Sequence, residues 1–185
     1  GLLDVNATVK GPAKSPRIDA QAQWKDGAVY GLENVALKSN VGFQGGALKG
    51  SLELKTSVGN VDGTWDFPVA AWNQGTQAPL SLELKVKELA TDKVMALTGS
   101  EVVMRGWVTG TLAVTGDTET PQATLDIEGN ALEVVPSRGA TALAVKRAVV
   151  TAKSDERAQA DVQVDLQLMG GGAKVSVHSD GVSKR

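Results

Sequence analysis

The side chains able to do acid–base or nucleophilic work are few in this chain, and their spacing argues against a reaction centre. His178 is the only histidine and falls on the polar parity of an alternating strand, where water surrounds it. Asp161 and Asp165 are spaced as paired carboxylates might be for general acid–base work, but they share their parity with Gln159, Gln163 and Gln167. A solvated strand face accounts for them. No Gly-x-Ser-x-Gly elbow, metal-ligand cluster or phosphate loop occurs. The glycines and lysine of "MGGGAKVSV" (Met169 to Val177) precede a strand pattern, whereas a phosphate loop needs a helix N-terminus behind its glycines. That stretch reads as a turn. Cysteine is absent, so neither disulfides nor thiolate chemistry enter. The expectation is a chain that is not an enzyme and holds no cofactor or metal.

Composition narrows the class further. The 185 residues suffice for one large domain with a sizeable core. The chain is 42% apolar but only 4% aromatic, so its apolar material is mostly Ala, Val and Leu. A formal charge of −2 argues against nucleic acid, which demands a basic footprint. No run of Lys and Arg suggests an anionic membrane surface. No apolar run of about 18 residues exists to cross a bilayer as a helix. The chain starts directly in strand pattern at Leu2 and ends at "VSKR", which gives the expectation of a segment cut from something longer.

The elements that would carry any function are strands. Successive side chains of a strand point to opposite faces, so a two-residue period marks a sheet with unlike sides. Val102, Met104, Val108, Leu112 and Val114 take one parity, while Arg105, Thr109, Thr111 and Thr115 take the other. Ala123, Leu125 and Ile127 resume the pattern after a turn over Gly116 to Pro121. Val162, Val164, Leu166 and Leu168 oppose Asp161, Gln163, Asp165 and Gln167 in the cleanest strand, which the period starts at Ala158. Similar alternation runs from Leu3 to Val9, Ile18 to Trp24, Leu48 to Leu54, Val61 to Phe67, Leu80 to Val86 and Leu143 to Val149, where Arg147 interrupts the apolar parity. Asp26-Gly27 reads as a tight hairpin turn. Pro68 ends a strand, Ala70 to Pro79 reads as a loop, and Pro136 closes the strand of Leu132 and Val134. Only "KELATDKVMALTGS" breaks the period, with Leu89, Val94, Met95 and Leu97 suiting about three turns of amphipathic helix ended near Gly99. Trp107 falls on the polar parity, unless Gly106 marks a bulge that flips it, and an exposed Trp there would suit a contact to a partner. The prediction is an all-β chain of ten to twelve mostly antiparallel strands with one short helix.

Two architectures bury such a face. Strands can stack as a self-packed β-sandwich, serving as an interaction or scaffold module, or the sheet can curl around something flexible and apolar. The repeats favour curling. "VKGPAKSP" (Val9 to Pro16) recurs as "VTGDTETP" (Val114 to Pro121), and "SLELK" occurs at Ser51 and at Ser81, dividing the single segment 1–185 into loose repeats 1–79 and 80–180. The stretch from Leu80 to Val134 is an alternating strand, a helical dip, and then Gly106, Gly110, Leu112, Val114, Gly116 and Pro121 in the pattern Gly-x-x-x-Gly-x-Leu-x-Val-x-Gly followed by Pro. It resembles the repeat of the TamB and AsmA-like family, with Val5 to Val29 matching in part.

The resemblance implies a segment of a periplasmic bridge of Gram-negative bacteria, inner-membrane anchored by a helix outside this stretch. It implies a long curled sheet, an open groove or β-taco, with an aliphatic interior. The implied function is phospholipid transport between the membranes and outer-membrane assembly, with an Omp85-type outer-membrane barrel protein and neighbouring repeats of the same chain as partners. Such a groove would shield phospholipid acyl chains, and its lining here would be Val102, Met104, Val108, Leu112, Val114, Leu125, Ile127, Val162, Val164, Leu166 and Leu168. A soluble shuttle closing around one lipid is a third reading; it would cap the sheet edges that a bridge leaves open.

Overall fold

A computed structural model of the chain describes residues 1–29, 31–98, 102–135, 142–154 and 159–179. The expected helix stop at Gly99, the strand stop at Pro136 and the strand start at Ala158 lie outside these residues. The strands are β1 (Leu2–Lys10), β2 (Arg17–Val29), β3 (Leu32–Gln44), β4 (Ala47–Lys55) and β5 (Asn60–Phe67). After helix α1 (Val69–Gln74) come β6 (Ser81–Ala90) and helix α2 (Thr91–Thr98). The rest is β7 (Val103–Gly116), β8 (Pro121–Val135), β9 (Leu143–Ser154), β10 (Ala160–Leu168) and β11 (Gly171–Ser179).

All eleven strands form one antiparallel sheet in chain order, an open meander whose edges are β1 and β11. The two-sheet sandwich is not formed: among the described residues no strand stacks on another. The fold is therefore all-β, an open sheet with a groove-forming apolar side.

The repeated strand–Gly–turn–Pro motif is one connection built twice. At the first copy Lys10 pairs with Arg17 beyond Gly11 (φ 91°), and at the second Gly116 (φ 104°) pairs with Pro121. A Cβ at Gly11 would meet the Ser15 carbonyl at 3.0 Å, and one at Gly116 the Thr120 carbonyl at 2.7 Å, so both turns fold back equally tightly. In the second, Asp117 organises the loop. Its carboxylate accepts from the backbone N–H of Glu119 (2.9 Å) and Thr120 (2.8 Å) and from the Gln77 amide (2.7 Å). These bonds favour the ionised form, the Gln77 amide most of all, and lower the pKa to about 2. A carboxyl lowered on folding stabilises above its ordinary range near 4, and this contribution drains away as pH falls from there towards about 2. Carboxyl-carbon NMR should place the Asp117 midpoint near the lower figure; a midpoint near 4 would show that the loop bonds do not hold it.

Three local readings change. Asp26-Gly27 is a bulge inside β2, not a hairpin turn: pairing jumps from Trp24↔Leu37 to Gly27↔Val35, with Asp26 at φ 49°. A bulge and a tight turn both demand positive φ, so the dipeptide cannot separate them. The segment read as a loop opens with α1, whose Ala70 N–H donates to the Gly46 carbonyl at 2.9 Å. Leu89 belongs to β6 and not to the helix. A bulge at Lys87-Glu88 (Glu88 φ 50°) turns Leu89 onto the side where it faces Val108, and α2 begins at Thr91.

Candidate functional site

Cross-strand register turns local alternation into a surface. Starting at β1, Leu3 faces Trp24, which faces Leu37, then Leu54, Val61, Val86, Gly110, Ile127, Val150, Val164 and Val175. This puts an apolar side chain on ten of the eleven strands, with Gly110 of β7 completing the row. At about 4.8 Å between strands, the row runs roughly 48 Å across the sheet. A parallel row passes through Val5, Ala22, Leu52, Leu84, Leu112, Leu125, Val162 and Val177, with Ser39, Gly63 and Ala152 filling the remaining strands.

The reverse side is mostly polar, with Trp107, Ala113 and Val149 as exceptions. Its row aligned through β4 to β6 reads Glu53, Asp62, Lys85, and through β7 to β10 Thr111, Asp126, Thr151, Gln163. Ion pairs Lys87–Asp62 (2.6 Å), Lys49–Asp66 (2.6 Å) and Arg147–Glu128 (2.8 Å) cross it. The Arg147 guanidinium donates to Glu128 and holds that carboxyl below its usual range. Asp161 and Asp165 sit on this side, bonded to His178 and Lys174 across β10 and β11, as solvated surface groups.

Ten of the eleven predicted lining residues lie in β7, β8 and β10 on the apolar side. Leu112 faces Leu84 and Leu125; Val114 faces Leu82 and Ala123; Val108 faces Leu89 and Gly129. Ile127 joins Gly110 to Val150, and Val162 and Val164 face Ala152 and Val150. Leu125 faces Ala152, Leu166 faces Ala148, Leu168 faces Val145 and Met104 faces Val134. Val102 stands one residue before β7, outside the ladder.

What covers this side decides its use, and little does. Among the described residues only Val35, Val58, Leu80, Ala90 and Val145 are buried hydrophobics. The chain exposes 12389 Å², whereas a compact protein of 19.2 kDa exposes about 8,400 Å². Helix α1 sits at one end of the strands, where Leu48, Phe67, Pro68, Val69 and Trp72 form a wholly apolar pocket. Helix α2 lies at the other end: the Thr91 hydroxyl donates to the Gly106 carbonyl (3.2 Å) and the Lys93 ammonium to the Ser57 carbonyl (2.6 Å). The two helices lie at opposite ends of the strands, and among the described residues no element covers the middle of the apolar side.

Trp24 and Trp65 on this side each cover a glycine. A Cβ at Gly50 would stand 2.3 Å from the Trp65 ring, and one at Gly27 2.4 Å from the Trp24 ring. Each indole thus covers a glycine of its own surface and occupies the space a side chain there would take. Trp107 is on the polar side and 53% exposed. The bulge beside Gly106 exists, but its extra residue is Ala131 on β8 (φ 51°), so the parity of β7 runs through and Trp107 keeps its polar-side place.

Sequence parity missed members of the surface wherever the ladder is irregular. On β9 an extra residue at Lys146 separates Gln167↔Arg147 from Leu168↔Val145. Leu143 and Val145 are therefore apolar-side, as are Ala148, Val150 and Ala152, while Arg147 and Val149 are polar-side beside Glu128. Arg147 interrupts nothing; Val149 is the residue out of place. The lining contributed by β2 to β6 was not singled out because its unity lies in pairing between distant residues.

Comparison of the chain with protein-family models, curated proteins and solved structures returns no match. The reading of function therefore rests on the surface itself.

Proposed function

We propose that the apolar side shields phospholipid acyl chains and that the chain is one segment of a TamB- or AsmA-like periplasmic bridge. In that role it supports lipid transport from inner to outer membrane and, with an Omp85-type barrel, outer-membrane assembly. The observation carrying this reading is the apolar row that runs across all eleven strands, with no second layer over it among the described residues. Each acyl methylene left in water costs about 0.8 kcal/mol, so a lipid crossing an aqueous gap needs a continuous apolar surface. Graded Ala, Val and Leu contacts supply one without a deep trap. The charged headgroup stays in water, avoiding its desolvation. Both edge strands are fully exposed along their length, which suits a segment with neighbours more than a shuttle that closes on its cargo.

Photocrosslinking in cells tests this from adjacent residues on opposite sides. A crosslinker at Val164 should capture phospholipid, and one at Asp165, which pairs with Lys174, should capture at least several-fold less. Equal yields at the two sites, or none at either, would contradict the proposal.

A further inference from the structure

We propose that a phospholipid on the apolar side lies lengthwise along β3 to β5, with its acyl-chain ends in the pocket beside α1 and its headgroup towards α2. This rests on the lipid-bearing role proposed above and gives it a direction. Both helices fold back over the same strands. From the end of β5, α1 reaches the β3–β4 turn, where the Ala70 N–H donates to the Gly46 carbonyl. From the end of β6, α2 reaches the β4–β5 turn through Lys93 and Ser57, and the β2–β3 turn, where a Cβ at Gly31 would stand 3.8 Å from Leu97. Strands β3 to β5 are thus bounded at both ends, and the two ends differ.

The α2 end is packed shut. Val35 (2% exposed), Val58 (6%) and Ala90 (3%) gather there, and the Ala90 N–H donates to the Val58 carbonyl at 2.7 Å. An interior packed to native density has no room for a chain end. The same end is charged: Asp92 and Lys93 open α2, and the Lys93 ammonium gives one of its three donors to the Ser57 carbonyl, keeping two for water or a phosphate. Helix α1 carries no charge, and beside it Leu48, Phe67, Pro68, Val69 and Trp72 surround a cavity of about 320 Å³. A hydrocarbon end gains by entering such a space, whereas a headgroup there would lose its hydration. The lengths agree. From Leu48 to Leu54 along β4 is about 20 Å at the usual strand rise. An acyl chain fills half of a bilayer core of about 30 Å, or about 15 Å. With its end in the pocket, the chain brings its carboxyl end close to the row of Leu54, Leu37 and Trp24, short of α2.

Two native tryptophans mark the two ends: Trp72 lines the pocket, and Trp24 faces Leu37 towards α2. Two variants, each keeping one of them and carrying Phe at the other three tryptophans, would be titrated with phosphatidylcholine brominated either at the chain terminus or next to the carboxyl. The terminally brominated lipid should quench Trp72 at least three-fold more than Trp24, and the carboxyl-brominated lipid should reverse that ratio. In a chain with its tryptophans intact, Val69→Asp should raise the dissociation constant for phosphatidylcholine at least three-fold. Quenching that ignores the bromine position, the opposite pattern, or unchanged binding by the Val69 variant would overturn the orientation while leaving lipid binding in place. Quenching of neither tryptophan by either lipid would overturn it too, and crosslinking at Val164 then tells whether the apolar side carries lipid at all.

Discussion

Leu112→Arg should leave the sheet folded while removing its capacity to hold acyl chains. Leu112 sits mid-sheet between Leu84 and Leu125, half-buried by its neighbours and not by a covering layer. On a side open to water, an arginine can lay its methylenes along those leucines and keep its guanidinium solvated. The cost to folding is then on the order of 1 kcal/mol, a fall in Tm of about 2–4 °C for a chain of this size. Were the side sealed, an unpaired buried charge would cost several kcal/mol and the domain would unfold. For a sliding acyl chain, the same cation interrupts the apolar path at its middle. A thermal melt and a fluorescent-phospholipid binding assay on one preparation separate the effects. Outright unfolding, or binding equal to that of the parent chain, would contradict an open lipid-bearing side.

The largest loss of stability from a single methyl group is expected at Gly106. Its φ of 120° is a region L side chains rarely adopt, and an added Cβ would lie 2.6 Å from the Ala131 carbonyl. Both neighbours are fixed: Ala131 forms the bulge, and the Gly106 carbonyl accepts the buried Thr91 hydroxyl that anchors α2. Gly106→Ala should therefore cost about 2–3 kcal/mol, lowering Tm by roughly 4–12 °C. Gly110 in the same strand is the control. It has no positive φ, and its nearest atom to an added Cβ is the Asp126 carbonyl at 3.3 Å. Gly110→Ala should cost under about 1 kcal/mol. Equal losses at the two glycines would show that the bulge is not what Gly106 serves.

Strand number, the antiparallel meander and the sidedness of the sheet were legible because they depend on a two-residue period, which is local. Val162 to Leu168 shows this best, since parity there survives intact into the structure. Errors gathered where one extra residue shifts the period. Glu88 moved Leu89 from an expected helix into a strand, and Lys146 exchanged the sides of Val149 and its apolar neighbours. Nothing local distinguishes those residues from others in an alternating run; the bulge exists because of how the partner strand is paired. Helix α1 was missed because six residues are too few to show a period, and its anchorage to Gly46 is tertiary. The continuous row across all strands was equally hidden, because it joins residues as far apart in sequence as Leu3 and Val175. The clean alternation of β7 and β8 marks them locally, whereas the register gives β2 to β6 an equal share of the surface.

The tryptophans offer the most direct measurement of whether the apolar side holds acyl chains. Trp65 lies on that side over Gly50, and Trp107 stands exposed on the other. Two variants, each retaining one of these and carrying Phe at the other three tryptophans, would be titrated with phosphatidylcholine brominated on its acyl chains. Bromine quenches indole only at contact range. Strong quenching of Trp65 with Trp107 unchanged is the expected result; equal quenching of both, or of neither, would contradict the account.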